Sequence, residues 1–183
     1  MHSTNRNGTS SISSDPLTTE NKETKNPTRL KLGLQYLIAI FLALLVSTIM
    51  IKMYHPVFVS GISMEPTFQN GNVLISTSEF DYDDIKIGDV IVFKEKIQLI
   101  KRVVAKDGDT VSIVGGILFV NGEKSPYQFE SIDSPGILKE PYTLKAQELF
   151  CLGDNRNHST DCRDFGAISF NQIKYKIIRK AFN

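Results

Sequence analysis

The chain has 183 residues, enough for one ordinary domain with an appended segment, and its hydrophobic share of 41% supplies a real core. Collagen-like, low-complexity and wholly disordered classes are excluded. A net charge of +1, from 21 Lys and Arg against 20 Asp and Glu, offers nucleic acid no basic face, and two cysteines without zinc-site spacing argue against a metal.

The first 29 residues hold fifteen Ser, Thr or Asn, with Met1, Ile12 and Leu17 as the larger apolar side chains. So little apolar surface cannot offset the entropy of ordering, and residues 1–31 read as a disordered tail. From Leu32 to Ile51 twenty positions pass without a charge, which as a helix spans roughly 30 Å, the thickness of the hydrocarbon core. A core helix would need a polar face, and Gln35, Ser47 and Thr48 do not make one. A cleaved secretory signal would be shorter and end in a small-residue site, whereas this run exits into Lys52-Met53-Tyr54-His55-Pro56. Residues 32–53 therefore read as an uncleaved transmembrane anchor. Lys22, Lys25, Arg29 and Lys31 outnumber Lys52 across the span, so the positive-inside rule predicts a cytoplasmic tail and an extracytoplasmic domain over 54–183, on a single-pass protein of the plasma membrane.

The outward part reads as mainly β. Short runs rich in Val, Ile and Phe at Gly88–Phe93, Ile97–Ala105, Asp109–Val114 and Ile117–Val120 predict closely spaced strands, hence a folded antiparallel sheet or small β-barrel-like domain. Gly115-Gly116 and Asn121-Gly122 fit two-residue hairpin turns. Lys124–Pro141, with three prolines and a glycine, reads as a surface excursion, and Gln172–Lys180 as a closing strand or a short helix.

Three stretches offer chemistry. Ser63 ends a β-like run between Gly61 and Pro66, a setting where serine is commonly a plain turn residue. Lys101 and Arg102 sit inside the apolar strand Leu99–Val104, where alternation turns one of them inward. That is either an edge strand guarded by charge or a desolvated lysine of lowered pKa, able to take a proton from serine; an arginine cannot, because it keeps its proton. The polar stretch Gly153–Gly166 is either a solvated turn or a support in which Asp161 pairs with Arg163 and Ser159 orients a nearby amine.

Together and in this order, the stretches resemble the bacterial type I signal peptidases. The matching boxes are Ser-Gly-Ile-Ser-Met-Glu-Pro-Thr (60–67), Gly-Asp-Val-Ile-Val-Phe (88–93), Lys-Arg-Val-Val-Ala-Lys-Asp-Gly-Asp (101–109) and Gly-Asp-Asn-Arg-Asn-His-Ser-Thr-Asp-Cys-Arg (153–163). The resemblance implies a serine endopeptidase with Ser63 as nucleophile and Lys101 as general base, needing no metal or cofactor. It gives Ser159 the role of a hydrogen-bond partner to the lysine amine, and Asp161 and Arg163 that of an ion pair behind the site. Gly61 stands where some members carry a serine that donates to the oxyanion, as in the Gram-positive type, so a backbone N–H must serve. His158 stands where asparagine is common and Cys162 where serine is usual. A triad through His158 is disfavoured by its place in the final box. Whether Cys151 and Cys162 form a disulfide is left open.

The resemblance further implies that the partners are exported preproteins, whose signal-peptide C-terminal region adds as a strand near Pro56–Ile62 and Gln98–Ile100 and is cut after an Ala-x-Ala-like site. Val59, Gly61, Ile62, Gln98 and Ile100 are the expected substrate-binding residues. Membrane lipid is the other expected partner, and anchoring in it raises the effective concentration of a substrate held in the same bilayer. Two further readings are a Ser-Lys peptidase with a narrow client and an inactive anchored β-domain that binds extracytoplasmic peptides; the latter has no chemical need for a lysine inside an apolar strand.

Overall fold

The computed structural model describes residues 27–182; of the disordered tail expected over 1–31, residues 1–26 lie outside them and 27–31 are helical. Helix α1 (Pro27–Met53) opens on a proline, whose missing N–H is one that a helix start leaves unpaired anyway. Lys31–Ile51 is long and apolar enough to cross a bilayer, and all of it is exposed.

The strands follow as β1 (Tyr54–Phe58), β2 (Val73–Thr77), β3 (Val90–Lys94), β4 (Gln98–Lys106), β5 (Thr110–Val114), β6 (Ile117–Val120), β7 (Glu123–Lys124), β8 (Tyr142–Thr143), β9 (Glu148–Leu152), β10 (Ile168–Ser169) and β11 (Ile173–Phe182), with a short helix α2 (Cys162–Phe165) between β9 and β10. Two antiparallel sheets result, ordered β1-β2-β11-β3-β4-β9-β10 and β7-β6-β5-β8. The C-terminal run is thus a strand, and it pairs with β2 and β3 in mid-sheet.

Burial explains the strand sequences. Val90 to Phe93 of β3 are all buried because both faces are covered: Ile91 and Phe93 enter the main core, and Val92 joins Val57, Val59 and Leu74 in a second cluster. Each such side chain contributes about 1.5–3 kcal/mol. In β4 a register shift between Val103 and Ala105 breaks strict alternation, so Val103, Val104 and Ala105 all reach the main core. Gly115 and Gly116, at φ +56° and +76°, make the predicted turn between β5 and β6.

The segment 124–141 is more than a surface excursion. Ile132 and Leu138 are buried in the main core, and Gly136–Lys139 forms a 3-10 turn. Two features frame the site. Strand β1 is an outer strand, which suits Pro56, and β9 pairs with β4 only from Arg102 onward. The stretch Gln98–Lys101 is therefore unpaired on the side away from β3.

Candidate active site

Ser63 lies in the turn after β1 and Lys101 in β4, and the fold brings them together: Lys101 Nζ donates to Ser63 Oγ at 2.8 Å. Lys101 is 2% exposed. Burial disfavours the ammonium and pushes its pKa below the ordinary 10.5, against the opposing pull of Asp161 and Asp154. Ser63 N–H has no acceptor among the described residues.

Two ion pairs brace the surroundings. Asp161 caps α2 and is fully buried; its carboxylate accepts from Gly153 N (3.0 Å), Arg163 N (3.2 Å) and Arg163 Nε (2.9 Å). Arg102, on the opposite face of β4 from Lys101, forks onto the buried Asp154 with Nε to Oδ1 at 2.8 Å and Nη2 to Oδ2 at 2.6 Å. It also reaches Thr67 Oγ1 (3.3 Å) in the turn that carries Ser63, and Gly88 O (2.7 Å). Asn155 holds the same turn from the other side, donating its N–H to Ser63 O (3.1 Å) and Nδ2 to Ile62 O (3.2 Å).

A cleft of about 230 Å³ opens beside the Ser63–Lys101 pair. Its walls are the end of β1 with Phe58 and Ser60 on one side and Ile97–Ile100, whose edge away from β3 is unpaired over Gln98–Ile100, on the other. Both walls carry free strand edges, the geometry that accepts an added strand. Among the described residues no three His, Cys, Asp or Glu side chains gather as a metal set.

The family model "Signal peptidase, peptidase S26" matches residues 29–179. The chain belongs to the signal peptidase family. It is 35% identical over 150 residues to signal peptidase I of Bacillus caldolyticus, covering 72% of this chain and 81% of that one. It is 31% identical over 163 residues to signal peptidase I T of Bacillus subtilis (strain 168), covering 81% and 83%. A crystal structure of a signal peptidase I from Enterococcus faecalis V583 matches at TM-score 0.40 and 22% identity, over 50% of this chain and 94% of that one. This signal peptidase is a serine peptidase, a hydrolase, of the short bacterial type I kind found in Gram-positive organisms.

In this signal peptidase the other residues singled out in the sequence fall partly in the cleft and partly away from it. Ser159 makes no bond to Lys101: its Oγ is buried without a partner among the described residues. Gly153 runs so close that a Cβ there would stand 2.1 Å from Ser159 Oγ and 2.6 Å from Ser63 O. Val59 is 4% exposed and packs into the second core cluster, because alternation turns it and Val57 inward and Phe58 outward. Gln98 and Ile100 line the cleft, whereas Val59, Gly61 and Ile62 do not. Gly61 N–H is taken by Asn70 Oδ1 at 2.9 Å. His158 bonds Asn155 Oδ1 rather than Ser63, and His55 bonds Ser78 Oγ. Both cysteines are free thiols; Cys151 N–H donates to Cys162 Sγ at 3.2 Å, and burial pushes the Cys151 thiol up. Asp154, Asn155 and Thr67 were not singled out in the sequence; the one available signal was Arg102, a second cation in a buried strand that needs an anion.

Proposed function

We propose that this peptidase removes N-terminal signal peptides from exported preproteins after an Ala-x-Ala-like site, with Ser63 as nucleophile and Lys101 as general base. The 2.8 Å contact between Ser63 Oγ and a buried lysine carries the reading. Burial lowers the pKa of Lys101, which favours the neutral amine that this step needs. Neutral Nζ takes the hydroxyl proton while Oγ attacks the scissile carbonyl carbon. The carbonyl oxygen gains charge opposite Ser63 N–H, a contact type worth roughly 3–4 kcal/mol. The ammonium of Lys101 then gives its proton to the departing amine, which becomes the N-terminus of the mature protein, and the signal peptide remains as an ester on Ser63. Water gives a proton to Nζ as its oxygen attacks the ester carbonyl; the bond to Oγ then breaks, the Lys101 ammonium returns the proton to Ser63 Oγ, and the signal peptide leaves as a carboxylic acid.

The substrate enters the cleft as an extended strand between the free edges of β1 and of Gln98–Ile100, with backbone bonds giving affinity and small pockets selecting the side chains. Residues 32–53 serve as the anchor, with the tail over 1–31 cytoplasmic and 54–183 outside; the charge on the N-terminal flank supports that orientation. Asp161 and Arg163 hold the loop behind Lys101 in place. Incubating the detergent-solubilised full chain with a preprotein bearing an Ala-x-Ala site tests the reading. N-terminal sequencing should find the mature chain beginning just after the final Ala, and Ser63→Ala should give no product. Cleavage elsewhere, or by Ser63→Ala, refutes it.

A further inference from the structure

Asn155 makes no hydrogen bond to Lys101, yet it bonds the carbonyls of both Ile62 and Ser63. Its Nδ2 donates to Ile62 O at 3.2 Å and its backbone N–H to Ser63 O at 3.1 Å. The Ile62 carbonyl and the Ser63 N–H belong to one planar trans peptide, in which C=O and N–H point opposite ways. Whatever holds the carbonyl therefore holds the N–H, and that N–H is free of any acceptor among the described residues.

We propose that Asn155 is a positioning residue for the oxyanion: its side-chain amide aims Ser63 N–H at the point where the scissile carbonyl oxygen gains charge. The inference rests on the peptidase reading above and deepens it. Gly61 offers no side-chain donor, so the stabilisation falls on a main-chain group, whose peptide plane is held at Ile62 O by two donors, the turn's own Glu65 N–H at 3.1 Å and Asn155 Nδ2 at 3.2 Å. The bond from Asn155 N–H to Ser63 O fixes the next peptide plane, leaving the turn little freedom to rotate. His158 sets the amide itself. Its Nδ1 meets Asn155 Oδ1 at 3.1 Å and its N–H donates to Asn155 O at 3.2 Å. A donor on Oδ1 requires Nδ1–H on the imidazole and turns Nδ2 toward Ile62. The histidine that departs from the family's common asparagine thus keeps the amide in register.

The test compares the full chain in detergent with Asn155→Ala, His158→Ala, His158→Asn and Ser63→Ala, reading kcat, KM, the pH profile of kcat/KM and the melting midpoint. Asn155→Ala should lower kcat by roughly tenfold to a hundredfold, with KM and the acid limb of the profile unmoved, because Lys101 keeps its surroundings. His158→Ala should lose less, about three- to tenfold, and His158→Asn, which can still donate to Oδ1, should recover most of it. Wild-type kcat in Asn155→Ala, a loss that appears in KM, or a shifted acid limb overturns the proposal. Should Asn155→Ala fail to melt cooperatively, Asn155→Ser, too short to reach Ile62 O, is read by the same criteria. If Ser63→Ala cleaves, the peptidase reading falls and this one with it. If Ser63→Ala is dead while Asn155→Ala is normal, this one falls alone.

Discussion

Asp154→Ala removes half of the buried pair behind the nucleophile turn and strands the Arg102 guanidinium. Breaking a buried ion pair from one side costs about 3–5 kcal/mol, because the abandoned charge stays desolvated. The lower figure applies here. The Arg102 side chain is 11% exposed, and it keeps Gly88 O at 2.7 Å, Thr67 Oγ1 at 3.3 Å and the ring faces of Tyr127 and Phe129 at 5.4 and 5.3 Å. For a folded part the size of 54–183, each kcal/mol moves the melting midpoint by roughly 3–5 °C, so the expected drop is about 9–15 °C. Thermal unfolding of the full chain at fixed detergent concentration reads it by far-UV circular dichroism, which suits a chain with no tryptophan. Replacing both partners, Arg102→Met with Asp154→Leu, leaves no unpaired charge and should recover most of the loss. A drop below about 3 °C for Asp154→Ala, or a double variant no better than the single, would refute the reasoning.

Lys101→Met should stabilise the protein at neutral pH while removing activity. Burial places the folded-state pKa of Lys101 below its unfolded value of 10.5, so below that pH the unfolded chain binds the extra proton more readily and stability rises as pH climbs toward 10.5. The gap between the melting midpoints of the two proteins should therefore shrink as pH rises toward 10.5; a constant gap contradicts the assignment. Gly153→Ala forces a Cβ to within 2.5 Å of Ser159 Cβ and 2.6 Å of Ser63 O, so the backbone must move. The expected cost is about 1–3 kcal/mol in the melt together with a fall in kcat, and an unchanged kcat would show that the close approach is dispensable.

What was legible in the sequence was local. The β5–β6 hairpin needed only two glycines able to take positive φ, and β3 and β4 needed only their Val and Ile runs. The segment 124–141 was misread because Ile132 and Leu138 sit at no regular spacing, and their burial depends on the turn between them. At the site, alternation asked which of Lys101 and Arg102 points inward; both do, on opposite faces, since β4 is covered on each side. Arg102 finds its anion 52 positions away in Asp154, a separation no local pattern reveals. Asn155 stands in the 153–163 box, but its role was not legible there, because its partners are backbone carbonyls, which carry no sequence signature. The resemblance brought Ser159 to the lysine amine, but the structure leaves the hydroxyl without a partner beside Gly153.

The central claim, that neutral Lys101 drives Ser63, is tested most directly by single-turnover cleavage of a preprotein across pH. Wild type, Ser63→Ala, Lys101→Met and His158→Ala are measured side by side. The account predicts that Ser63→Ala and Lys101→Met lose roughly 10²–10⁴-fold or more, and that the wild-type rate rises with loss of one proton at a midpoint below 10.5. Lys101→Met cleaving within about tenfold of wild type, or His158→Ala as inactive as Ser63→Ala, would contradict it.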